Sequence, residues 1–91
     1  MANKFIYPRD AVKVGLKNKG FKFIENSEEF NGCKGGIWLS ADGSENNYYF
    51  DYYTTSRAYE IGVRKTFIKW LEDRGWYAEW NDPGTMMLWI I

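Results

Sequence analysis

Eighteen of the 91 residues carry an aromatic ring, and none is a histidine. Each buried ring covers about 150–250 Å², while a chain of this length removes only about 60 to 70% of its unfolded surface from water. One core can therefore be closed with few side chains. Rings left over from it, among them some of Trp38, Trp70, Trp76, Trp80 and Trp89, mark a binding surface.

The pattern along the chain predicts two helices and five strands. Lys4 to Tyr7 reads as a short extended arm. Pro8 suits a first helical position and Asp10 complements the helix N-terminus, so a helix runs from Pro8 to Asn18 with Ala11, Val12, Gly15 and Leu16 inward. Gly20 stops it. Phe21 and Phe23 alternate with Lys22, which predicts a strand over 20–25, and the acidic and glycine-rich residues 26–36 read as a loop.

Ile37 to Ala41 and Tyr48 to Tyr53 are expected to form a hairpin across Asp42-Gly43. From Arg57 to Arg74 the residues Tyr59, Val63, Phe67, Trp70 and Leu71 share one helical face, which predicts a long second helix ended by Gly75. Trp76 to Trp80 and Met86 to Ile91 form a second hairpin around Asp82-Pro83-Gly84. The order α-β-β-β-α-β-β implies one two-layer α+β domain over 1–91, its five-stranded, mainly antiparallel sheet covered on one face by both helices. Met86 to Ile91 is apolar on both sides, so this strand is either central and covered twice or a contact for a partner or a second copy of the chain.

Charge and chemistry exclude more than they select. Twelve basic and twelve acidic residues balance, but residues 1–24 carry six basic side chains against one acidic, and residues 25–60 two against seven. Segments that fold together cancel such an asymmetry. Cys33 is the single cysteine, so no intrachain disulfide forms, and the start lacks a signal-peptide apolar stretch; a cytoplasmic setting and no membrane segment are expected. Without histidine, the Ser-His and Cys-His nucleophile arrangements are absent. Cys33 has only Lys34 beside it, Glu25, Glu28 and Glu29 read as a solvated acidic loop, and Gly32 to Gly36 lacks phosphate-loop spacing. No catalytic group, metal site or cofactor is expected.

Nucleic-acid binding is the alternative that basic and aromatic residues raise. Lys19-Gly20-Phe21-Lys22-Phe23-Ile24 is similar to the aromatic strand signature of RNA-recognition motifs, but there it lies on the third strand of a βαββαβ unit and here it directly follows the first helix. The order α-β-β-β-α over 8–73 resembles double-stranded RNA-binding domains, whose basic cluster at the second helix start is replaced here by Arg57-Ala58-Tyr59-Glu60. Neither resemblance assigns a family. In this alternative Lys13, Lys17, Lys19 and Lys22 would carry the contacts.

The leading expectation is a non-enzymatic protein-binding module. On a strand over 48–53, Tyr48, Phe50 and Tyr52 face one way and Tyr49, Asp51 and Tyr53 the other. Tyr49, Asp51 and Tyr53, with Trp38, Tyr77 and Trp89, are the expected partner-binding residues, because tyrosine and tryptophan anchor interfaces at low entropic cost. Free-standing domains of this kind include accessory proteins of phages and other mobile elements that inhibit a host complex by occupying it. A third reading is a cationic ligand held by rings beside Glu79 or Asp51.

Overall fold

Pro8, at ψ 156°, hands an extended chain to helix α1, Arg9–Asn18, as the sequence predicts. The computed structural model describes residues 6–41 and 48–91. The helix ends in a paired-bond cap: Gly20, at φ 103°, donates to the Lys17 oxygen and Phe21 donates back to the Leu16 oxygen. Phe21 and Leu16 are both buried, the apolar contact that accompanies such a cap. Because Phe21 is folded back onto the helix, strand β1 starts later than predicted and spans Ile24–Asn26.

The predicted loop at 26–36 contains a single helical turn, α2, Glu28–Asn31, stopped by Gly32 at φ 79°. Buried Ser27 closes this segment, since its Oγ donates to the Cys33 oxygen at 2.6 Å and accepts from the Gly36 N–H at 2.9 Å. Strand β2, Ile37–Ser40, follows as expected.

The hairpin expected across Asp42-Gly43 is not formed. Residues 42–47 lie outside the described residues, but Tyr48 to Tyr53 make no strand: Phe50 has only an isolated bridge to Val63. The reason is that both edges of β2 are occupied, one by β1 and the other by the last strand.

The predicted helix over 57–74 is likewise divided. Its first part folds as a two-residue hairpin of β3, Tyr59–Glu60, and β4, Val63–Arg64, with Ile61 at φ 49° and Gly62 at φ 76° between them. Positive φ at both positions is the signature of the turn whose twist suits a hairpin. Helix α3 is confined to Lys65–Glu72, with Phe67 and Leu71 buried. Gly75, at φ 84°, ends that segment, and strands β5, Trp76–Asp82, and β6, Thr85–Ile90, form the expected final hairpin.

The sheet is antiparallel throughout, in the order β1-β2-β6-β5, and β3-β4 stands as a separate ribbon. Among the described residues the sheet has four strands instead of the predicted five, and the chain has three helices instead of two. Its inward positions, Ile37 and Leu39 on β2 and Met86 and Leu88 on β6, join Val12 and Leu16 of α1 and Phe67 and Leu71 of α3 in one core. Trp76 is fully buried there and its Nε1 donates to the Tyr7 oxygen at 2.9 Å. β6 is a central strand, with neighbours on both edges. A second copy cannot add to β6 itself; strand pairing would have to use the end of the sheet. No helix among the described residues is long and apolar enough to cross a membrane.

Candidate functional site

The antiparallel register aligns the outward side chains of all four strands in rows. Glu25 on β1, Trp38 on β2, Met87 on β6 and Glu79 on β5 form one row, and Trp89 lies across from Tyr77 in the next. This is the face opposite the helical core, because the alternate residues Leu39, Met86 and Leu88 point into that core.

Rings cover the middle of the face. Phe23 meets Trp38 edge-on with centroids 4.8 Å apart, and Phe30 of α2 approaches the same indole at 4.9 Å. Met87 is buried beneath these side chains, while Phe23 and Tyr77 remain 40% and 43% exposed. Trp89 lies against Gly36, where a Cβ would collide with its indole and with the Leu88 carbonyl oxygen at 2.7 Å. Its Nε1 donates to Glu79 Oε1 at 2.9 Å. Glycine at 36 and a carboxylate at 79 together fix the orientation of this ring, so the surface is preorganised. The outward strand positions carry glutamates and no lysine or arginine.

Of the six residues expected to bind a partner, the structure brings Trp38, Tyr77 and Trp89 onto this face. Tyr49 lies elsewhere. It is half-buried against the core, with ring centroids 4.9 Å from Phe21 and 5.3 Å from Phe67, and its hydroxyl donates to the Lys19 oxygen. Asp51 and Tyr53 are exposed in the irregular segment that follows, where Tyr53 contacts Tyr52 at 5.0 Å. The expected Tyr49-Asp51-Tyr53 surface needed a strand at 48–53, and the segment instead bonds to the ribbon, through Arg64 N–H to Tyr49 O and Asp51 N–H to Gly62 O.

The sequence reading missed Phe23, Phe30, Met87, Glu25 and Glu79 as a group. Phe23 was expected beside Phe21, but the cap at Gly20 breaks that alternation. Counting outward from Ile24 in period two would have placed Phe23 and Glu25 together.

The lysines divide in the same way. Lys13, Lys17 and Lys22 line a groove of about 630 Å³ with Val14, Phe21 and Ile24 in its walls, and Lys13 Nζ donates to Asn26 Oδ1 at 2.8 Å. Lys19 is directed to the other side of α1, with Nζ 4.8 Å from the Trp70 ring. Burial, and secondarily the nearby Arg74 charge, lower its pKa. Trp70 is shared by both cations, since the Arg74 guanidinium lies 4.0 Å from the same ring.

Among the described residues, no group of three or more histidine, cysteine or acidic side chains is arranged to hold a metal ion. Cys33 is exposed in the turn after α2. Comparison with protein-family models, with curated proteins and with solved structures finds no match to this chain.

Proposed function

We propose that the chain is a non-enzymatic protein-binding module and that the outer face of its four-stranded sheet is the contact surface. The observation that carries this reading is the set of rings on that face. Trp38, Tyr77 and Trp89 share the outer face with Met87 by register, Phe23 packs edge-on against Trp38, and Trp89 is tied to Glu79, contacts that do not require a ligand. Large rigid rings with a polar tip and few rotatable bonds lose little entropy when a partner covers them, and such residues dominate binding energy at interfaces.

The test is capture with a tagged chain from a lysate of its native host, with and without nuclease. Substituting exposed Phe23 and Tyr77 together with alanine is expected to abolish retention of a protein partner while leaving the melting transition in place. A folded Phe23→Ala/Tyr77→Ala variant that retains the partner refutes the reading. A nucleic-acid reading is favoured by one observation, the three lysines around the groove floored by Phe21. It requires that retention disappear with nuclease and fall steeply with salt.

A further inference from the structure

We propose that the open edge of β5 accepts an extended, basic segment of a protein partner as a fifth strand of the sheet. This rests on the protein-binding reading and specifies its chemistry. Among the described residues the sheet ends at β5. Ile91 N–H donates to the Gly75 oxygen, and Trp76 is opposite Ile90 in the same register. In an antiparallel pair this parity directs the backbone groups of Tyr77 and Glu79 toward β6 and those of Trp76, Ala78 and Trp80 away from it. Trp76 is fully buried and closed to a further strand; the half-buried Ala78 and Trp80 are paired with no strand on that side among the described residues.

Proteins blunt such an edge with lysine, proline, a bulge or a very short strand. β5 runs for seven residues without lysine or proline, and its irregularity comes only at the far end, between Trp80 and Asp82. Beside the edge is a groove of about 370 Å³ between α3, the β3-β4 ribbon and β5. Its apolar wall includes Ile61, Ile68 and Trp80, and Ile61 is 83% exposed. Glu60, Glu72 and Glu79 also line it, and no lysine or arginine does.

An added strand alternates its side chains between the two faces of the sheet. One set would enter the groove beside Ile61 and Ile68, and the other would extend the outer face beside Tyr77 and Glu79. The main-chain bonds give affinity and the pockets give selectivity, as in other strand additions. Three carboxylates line the groove, and although the Lys69 ammonium lies near enough to Glu72 to interact with it, no cation is among the lining residues, so the groove favours arginine or lysine in the incoming segment, interspersed with apolar residues.

The probe is an acetylated and amidated peptide of alternating arginine and valine, titrated into the isotopically labelled full chain, with the glutamate-valine peptide as control. Amide exchange at Ala78 and Trp80 is expected to slow by about tenfold or more at saturation, as for amides newly bonded in a strand. The control peptide should leave the spectrum unchanged. Ala78→Pro removes an N–H that faces away from β6, a position where an edge strand tolerates proline, and should abolish binding. Glu60→Lys/Glu72→Lys leaves β5 intact and should weaken binding by about tenfold through like-charge repulsion.

No binding of the arginine peptide, or binding with unchanged exchange at Ala78 and Trp80, overturns strand addition. Shifts confined to Phe23, Trp38 and Trp89 in the latter case would overturn it while leaving the sheet-face reading standing. Protection of Ala78 and Trp80 alongside partner capture that survives Phe23→Ala/Tyr77→Ala would do the reverse.

Discussion

The indole Nε1 of Trp80 donates to the main-chain oxygen of Ile61 at 2.7 Å, tying the tip of the β3-β4 ribbon to the edge strand of the sheet. Ile61 holds φ 49° at that tip. A left-handed backbone costs an L-residue with a Cβ about 1–2 kcal/mol, and an isoleucine side chain that is 83% exposed recovers almost none of it through burial. Asparagine tolerates this conformation, so Ile61→Asn should raise stability by about 1 kcal/mol in urea denaturation while weakening binding at the groove. Trp80→Phe, which removes the hydrogen bond, should lower stability by about 1 kcal/mol. A loss of stability in Ile61→Asn would contradict the turn geometry.

Gly15 gives the opposite result to that expected of a helix-interior glycine. Replacement by alanine normally stabilises by about 1 kcal/mol. Here the new Cβ would lie 2.6 Å and 2.9 Å from two ring carbons of Trp70, a ring stacked on buried Phe67 at 5.9 Å and overlain by Lys19 and Arg74. Gly15→Ala should therefore destabilise by about 1–3 kcal/mol as an overpacked contact does. Trp70→Leu in the same chain should recover part of that loss. Stabilisation by Gly15→Ala alone would mean that α1 and α3 are not this close.

Glu28 predicts a dependence on pH. Its carboxylate accepts from the Gly35 N–H at 3.0 Å and from Arg9 Nη1 at 2.7 Å, linking α2 to α1. The Gly35 bond first, then the residue's own N–H and the Arg9 side chain, lower its pKa from 4.5 to about 2. The folded state then binds fewer protons than the unfolded state between these values, so the contribution is complete above the ordinary pKa and is lost as pH falls toward the lowered one. Thermal melts of the wild type and Glu28→Gln should differ at pH 6 and converge as pH falls from 4.5 toward 2. A gap that stays constant through that window would show that the carboxylate is not ionised in these bonds.

These interactions show what the sequence encodes locally and what it leaves to tertiary pairing. Helix α1 and the final hairpin were legible because Pro8, Gly20 and Asp82-Pro83-Gly84 are punctuation read within a few residues. Tyr48 to Tyr53 reads as a strand by ring content, yet the only strand it was expected to pair with has both edges occupied. No local signal reports that occupancy.

Tyr59, Val63, Phe67 and Leu71 have helical spacing, but the first two also suit a ribbon. Ile61-Gly62 lies outside the usual turn dipeptides, so the local pattern favours a helix running through it. The site was legible in the same proportion. Trp38, Tyr77 and Trp89 belong to strands identified from their pattern, while Tyr49, Asp51 and Tyr53 depended on the strand that pairing denies. Period two puts Phe23 and Glu25 on one face, but only the register of β1 shows that this is the outer face shared with Trp38.

Hydroxyl-radical footprinting of the chain, free and bound to its captured partner, tests the central claim most directly because aromatic and methionine side chains report their own exposure. The account predicts that Phe23, Trp38, Tyr77 and Trp89 lose reactivity on binding while Tyr53, 79% exposed in the free chain, keeps its own. Unchanged reactivity of the four sheet rings with protection at Tyr52 and Tyr53 would contradict it, placing the contact on the irregular segment and not on the sheet.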